Sequence, residues 1–213
     1  MGPTPPTEQM ISTPLESHPQ RNVIRVQLTQ NLVLSGLDDA ARLELERLLV
    51  VVDGNKGDYL LYQGVHAMEQ YFVLDGILER AVTNAEGKEM ILRFAAERDI
   101  ETSYAAWRLN TPTPYAIVCV TKATVAKLAM PDWVAFIERH PVLKAAFEHE
   151  VMRVMSEVMA HTITLHLLDA PGRVHRFMRK QAALVDRIPQ KVLAAYLNLS
   201  AETWSRLKQR GKI

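Results

Sequence analysis

The sequence predicts an α+β chain with three parts: an all-β segment between short helices, one long helix, and a basic helical C-terminal segment. Three observations carry that prediction. Between Lys56 and Lys127, runs rich in β-branched and aromatic residues ("DYLLYQG", "QYFVLDGILERAV", "KEMILRF", "YAIVCV", "ATVAKLA") are separated by Gly, Asn and Asp turns. From Pro141 to Leu168 apolar residues recur at spacings of four and three. From Asp169 onward ten Lys or Arg face three acids, a net +7, which leaves fifteen bases against twenty-one acids, −6, in the remainder.

Taken in order, residues 1–30 read as a flexible tail, because "MGPTPPTEQMISTPLESHPQ" holds five of the eleven prolines and lacks both the basic start and the apolar stretch of a secretory signal. "SGLDDAARLELERLLVVV" follows with apolar Leu37, Ala41, Leu45 and Leu48 and an Asp-rich first turn, which predicts an amphipathic helix. About eight short strands then close into a barrel or sandwich. "MPDWVAFIERHP" opens a short helix with Pro131 near its start, and Pro141 begins the long one. In the long helix Phe147, Val151, Val154, Val158, His161, Leu165 and Leu168 form a heptad seam. Such a seam packs either on its own barrel or on a second copy of itself, and its length favours the second copy, hence a homodimer. "LDAPGR" breaks the helix, with Asp169 as N-cap and Pro171 starting a helix that carries Val174, Phe177, Met178 and Leu184. The expected parts are therefore 1–30, 31–140, 141–168 and 169–213.

Composition narrows the function classes. A chain of 213 residues with 48% hydrophobic content buries a real core. Its longest apolar runs fall far short of the roughly 20 residues that span a bilayer, so no membrane partner is expected. The lone Cys119 allows no internal disulfide and no all-cysteine cluster, which fits a reducing cytoplasm. No nucleophile–base pairing, phosphate loop or metal spacing supports an enzyme. The charge asymmetry suggests a basic module for a polyanion, with a solvated basic helix pair as the alternative.

The closing stretch favours the polyanion. Leu193, Ala194, Leu197, Leu199, Trp204 and Leu207 have the spacing of the buried positions of a helix-turn-helix. Ala194 is small where the helices cross, Asn198 suits a left-handed turn, and Ser200 caps the second helix. The outer face then carries Ala201, Glu202, Ser205, Arg206 and Gln209, which can reach base edges in a major groove of double-stranded DNA. Lys208 and Arg210 are candidates for phosphate contacts. An ordinary helical hairpin that merely completes a core would not need so polar a face.

With these features in order, the chain after residue 35 resembles the Crp/Fnr family of bacterial transcription regulators. "KGDYLLYQG" followed by "YFVLDGILERAV" is similar to the opening of a cyclic-nucleotide-binding-type β-roll, "LDAPGR" to the family hinge, and "LSAETWSR" to the start of the recognition helix. The resemblance implies a jelly-roll-like β-roll effector domain over 31–140, a dimerisation helix over 141–168 and a DNA-reading domain over 169–213, with RNA polymerase as a further candidate partner. It also implies that Glu202 and Arg206 read bases while Ser200 and Thr203 contact phosphate or cap the helix. Ala201 departs from the catabolite activators, which have Arg there. Gly211-Lys212-Ile213 leaves no room for the β-hairpin wing of many relatives, so fewer backbone contacts are expected.

The same resemblance places an effector pocket at Thr102, Ser103, Tyr104, Thr113, Pro114 and Tyr115, with Met155, Val158 and Met159 from the long helix. Nucleotide-binding members carry Gly-Glu for the ribose and Arg-Ser or Arg-Thr for the cyclic phosphate. Here Thr102 and Ser103 stand near the former and Pro114 replaces the Arg, so a buried phosphate lacks a cation. Val158 and Met159 stand where an adenine-contacting Thr-Ser pair is implied, and neither supplies a hydroxyl. A regulator that does not respond to cyclic AMP is expected, with no cofactor identified. His161 reads as a register or interface feature rather than a haem or metal ligand, and His166, five residues on, faces another way. Met152, Met155 and Met159 read as core packing, with an adaptable apolar pocket as the lesser reading. The rival function is a small-molecule-binding β-roll protein whose C-terminal domain is vestigial or contacts another protein.

Overall fold

The computed structural model describes residues 10–209. A short strand β1 (Ser12–Pro14), a 3-10 turn at Leu15–Ser17 and helices α1 (Arg21–Thr29) and α2 (Asp39–Leu48) precede the roll. The flexible tail expected over 1–30 is corrected for residues 12–30, and residues 1–9 lie outside the described residues. Ser12 to Pro14 pair with Val50 to Val52, and Leu15, Ile24 and Leu28 are buried in the main core, enough apolar anchorage to fix the chain despite its prolines. Asp38 caps α2, accepting from the Ala41 N–H at 2.8 Å. The helix stops at Leu48 and the "VVV" run pairs as strand, in keeping with β-branched stiffness.

The roll consists of β2 (Val50–Gly54), β3 (Tyr59–Leu61), β4 (Glu69–Asp75), β5 (Leu78–Thr83), β6 (Glu89–Ala95), β7 (Ile100–Thr102), the short helix α3 (Tyr104–Arg108), β8 (Ala116–Cys119) and β9 (Ala123–Ala129). Two antiparallel sheets, in the orders β1-β2-β9-β4-β7 and β3-β8-β5-β6, face each other. Val52, Tyr71, Val73, Leu78, Ile117 and Val125 fill the space between them. β4 is buried on both faces, which explains its unbroken "YFVL": Tyr71 and Val73 point inward, and Phe72 and Leu74 point to the outer helices. The β4–β5 turn needs Gly76. Its φ is +89°, and a Cβ there would lie 2.3 Å from the Lys122 carbonyl oxygen.

Helices α4 (Met130–Glu138) and α5 (Pro141–Leu167) lead out of the roll, followed by α6 (Ala170–Lys180), α7 (Ala182–Val185), α8 (Gln190–Tyr196) and α9 (Ala201–Gln209). Asp169 caps α6 through the Gly172 N–H at 2.9 Å. The heptad stripe of α5 turns to its own chain. Phe147 sits in the core beneath the five-stranded sheet beside Trp133 and Phe136, Val154 is 1% exposed, and His161 stacks on Tyr196. Phe147 and Val154 thus take the own-chain alternative that the sequence left open, whereas Val151, Val158 and Leu165 are half-buried and Leu168 is exposed. Met152, Met155 and Met159, expected in the core, are 63%, 52% and 65% exposed, and with Ile163 they form a separate apolar stripe. No helix among the described residues is long and apolar enough to cross a membrane.

Candidate effector chamber and nucleic-acid interface

Three charged side chains from successive strands meet inside the roll. Arg80 of β5, Arg93 of β6 and Glu101 of β7 are all buried. Arg80 donates from Nε and Nη2 to Glu101 Oε2 at 3.0 and 2.6 Å, and Arg93 Nη1 donates to Oε1 at 2.5 Å. One carboxylate thus bridges two guanidinium groups through charge-assisted bonds. Arg80 also donates to the Thr102 carbonyl at 3.2 Å and lies 4.2 Å above the Tyr115 ring. Burial is the largest single influence and disfavours the Arg80 cation, but the charge of Glu101, Tyr115 and the hydrogen bonds to Glu101 together outweigh it, and the guanidinium pKa is raised. Burial pushes Asp99, 3.8 Å from Arg93, above the ordinary aspartate range even though that arginine opposes the shift.

The expected effector residues divide around this ion pair. Thr102, Ser103 and Thr113 are buried beside it. Ser103 Oγ and Thr113 Oγ1 lie 3.4 Å apart, and Tyr115 donates its hydroxyl to the Thr102 carbonyl at 2.7 Å. Tyr104 is buried but turns to the helices, its ring edge-on to Phe147 at 5.1 Å. Pro114 is exposed and Val158 half-buried, while Met155 and Met159 lie on the exposed stripe. The sequence reading of a buried phosphate without a cation did not weigh two cations inside the roll, both held by Glu101. It overlooked Arg80, Arg93 and Glu101, although "ILERAV" and "MILRF" set charges among apolar residues.

At the C-terminal end α8 and α9 meet through a short turn. Asn198 adopts φ +51°, and the Thr203 N–H donates to Ser200 Oγ at 3.1 Å, a helix N-cap. Leu193, Ala194, Leu197, Trp204 and Leu207 are buried with Val174 and Phe177, and Leu199 is half-buried. Glu202, Ser205, Arg206 and Gln209 lie exposed on α9, with Thr203 half-buried. The side chains of Ala201 and Lys208, and all of Arg210 and Gly211-Lys212-Ile213, fall outside the described residues. This helical unit packs on the roll: Ile77, Ile91, Phe94 and Val120 share its core, and Arg187 pairs with Glu97.

The remaining candidates are quieter. Burial raises the Cys119 thiol to about 12, which makes it a poor nucleophile. His166 is exposed on α5. Among the described residues no group of three His, Cys, Asp or Glu could hold a metal ion.

Residues 52–140 match the cyclic nucleotide-binding domain family. No curated protein matches the chain. Among solved structures, the c-di-GMP responsive global regulator CLP of Xanthomonas campestris is similar at 13% identity and a TM-score of 0.67, over 82% of this chain and 92% of that one. FixK2 of Bradyrhizobium japonicum gives 16% and 0.64 over 76% and 86%. A CooA mutant of Carboxydothermus hydrogenoformans gives 16% and 0.67 over 85% and 84%. Residues 52–140 are thus similar to a cyclic nucleotide-binding domain, and the chain shares its fold with CLP, FixK2 and CooA.

Proposed function

We propose that the chain is a non-enzymatic transcription regulator that binds double-stranded DNA as a homodimer and does not take a cyclic nucleotide into its roll. The observation that carries DNA reading is α9: Trp204 and Leu207 anchor one side while Glu202, Ser205, Arg206 and Gln209 stand free on the other, within a segment of net +7. A Glu accepts from a cytosine amino group and an Arg donates twice to guanine. Binding should weaken steeply with salt, because each neutralised phosphate releases counterions. Retention on a DNA column that is insensitive to salt would contradict the reading.

The exposed stripe of α5 supports a helix pair with a second copy. Met152, Met155, Met159 and Ile163 repeat at spacings of three and four, which suits a two-fold helix pair. In the roll, any phosphate must expel the Glu101 carboxylate from Arg80 and Arg93, and a displaced, unpaired carboxylate there costs several kcal/mol. Calorimetry with cyclic AMP or cyclic GMP should show no micromolar site. A stoichiometric micromolar site for either would overturn the claim.

A further inference from the structure

A polar cavity lies outside the roll. It has a volume of about 240 Å³ and opens between β6, α5, α6 and α8. Its walls bring together Arg93 from the roll, Glu157 from α5, and Arg173, Arg176 and Lys180 from α6. His161 and Tyr196 supply a stacked aromatic wall. Four cations and one carboxylate thus line the cavity, and of the four Arg93 is already paired behind it with Glu101 and Asp99. The Glu157 carboxylate is already bonded to Arg153 and approaches Arg93 only to 4.0 Å. Among the described residues no carboxylate forms an ion pair with Arg173, Arg176 or Lys180. Arg93 is almost wholly buried, yet its Nε, like that of Arg173, has no hydrogen-bond partner. Buried donors without acceptors are costly, and like charges converging on one cavity repel. An anion relieves both.

We propose that this cavity binds a small phosphate-bearing anion, held between Arg93 of the roll and Arg173, Arg176 and Lys180 of α6. A single carboxylate would leave most of the positive charge uncompensated, whereas a phosphate presents several oxygens to the guanidinium forks. The volume is at the small end for ligand sites, which favours a compact phosphate compound. A DNA duplex carries the same phosphate chemistry, but Arg93 is buried at the inner wall, out of reach of a duplex. Arg93 also holds Glu101, so an anion in the junction draws on the same guanidinium that closes the roll. It would thereby link α6 and α8 to the effector domain. This site stands whether or not α9 reads DNA.

The test is calorimetry of the full chain with sodium pyrophosphate at fixed ionic strength and without DNA. Saturable binding at about one per chain is expected, weakened at least tenfold in Arg173→Gln and in Arg176→Gln and unchanged in Arg47→Gln, which alters a distant arginine on α2. Thermal melting without pyrophosphate should show all three variants folded. Equal weakening in all three, or no saturation at millimolar pyrophosphate, would overturn the site. So would a result in which only duplex DNA, and never pyrophosphate, depends on Arg173 and Arg176.

Discussion

The Tyr196 ring lies flat on the imidazole of His161, with centroids 3.8 Å apart and planes 1° from parallel. The contact joins α8 to the long helix, and Tyr196 also meets Phe94 of β6 at 4.7 Å and Phe177 of α6 at 5.6 Å. Burial pulls the His161 pKa down to about 4, against the pull of nearby backbone groups of Tyr196 and Ile91. As pH falls from the ordinary histidine value towards 4, the unfolded chain takes up a proton that the folded chain refuses, so stability drops. His161→Phe keeps a ring against Tyr196 and removes that proton. Denaturation at pH 7 and pH 4.5 should show a smaller loss in the variant than in the wild type; equal losses would count against this origin.

Glu79 acts with the opposite sign. It is buried on β5, and desolvation, with help from the charge of Glu89, raises its pKa to about 7. Between the ordinary glutamate value and 7 the folded chain keeps a proton that the unfolded chain releases, so this contribution is fully present at low pH and is lost as pH rises through 7. Glu79→Gln should match the wild type near pH 4.5 and exceed it in stability at pH 8. A pH-independent difference, read from urea midpoints, would refute the assignment.

Within the roll, Glu101→Gln leaves Arg80 and Arg93 buried without their shared counter-ion. Breaking such a group typically costs about 3–5 kcal/mol. Urea unfolding should show a loss of that order, and a loss below about 1 kcal/mol would mean that the ion pair is far better solvated than its burial indicates.

Much of this architecture was legible in local chemistry. Asp38 and Asp169 announce their helices because an N-cap is a short-range device, and Asn198 and Ser200 announce their turn for the same reason. Tertiary choices were harder. The α5 stripe through Phe147 and Val154 and the one through Met155 and Met159 share the same period, and only the roll beside them decides which is covered. The bridge from Arg80 to Glu101 spans twenty-one positions and three strands, so no spacing rule reveals it. The order imposed on residues 12–30 likewise comes from distant partners such as Leu49, whose carbonyl accepts from the Leu15 N–H at 2.9 Å.

The two stripes separate cleanly by mutation. Met159→Glu should yield a folded monomer, because Met159 is 65% exposed within one chain and a charge there stays in water. Val154→Glu should instead destabilise the fold itself, since it buries a charge against the chain's own core. Sedimentation velocity and thermal melting distinguish the outcomes; a wild-type monomer at micromolar concentration would overturn the helix pair.

The central claim is that α9 reads DNA through Glu202 and Arg206, and selection from a randomised duplex pool tests it most directly. Two copies across a dimer axis should sit about 34–36 Å apart and enrich a pseudo-palindromic site. Arg206→Ala should cost about 1–3 kcal/mol and relax preference at one symmetric pair of positions. Failure of the wild-type protein to enrich any palindromic sequence, or enrichment unchanged by Arg206→Ala, would contradict it.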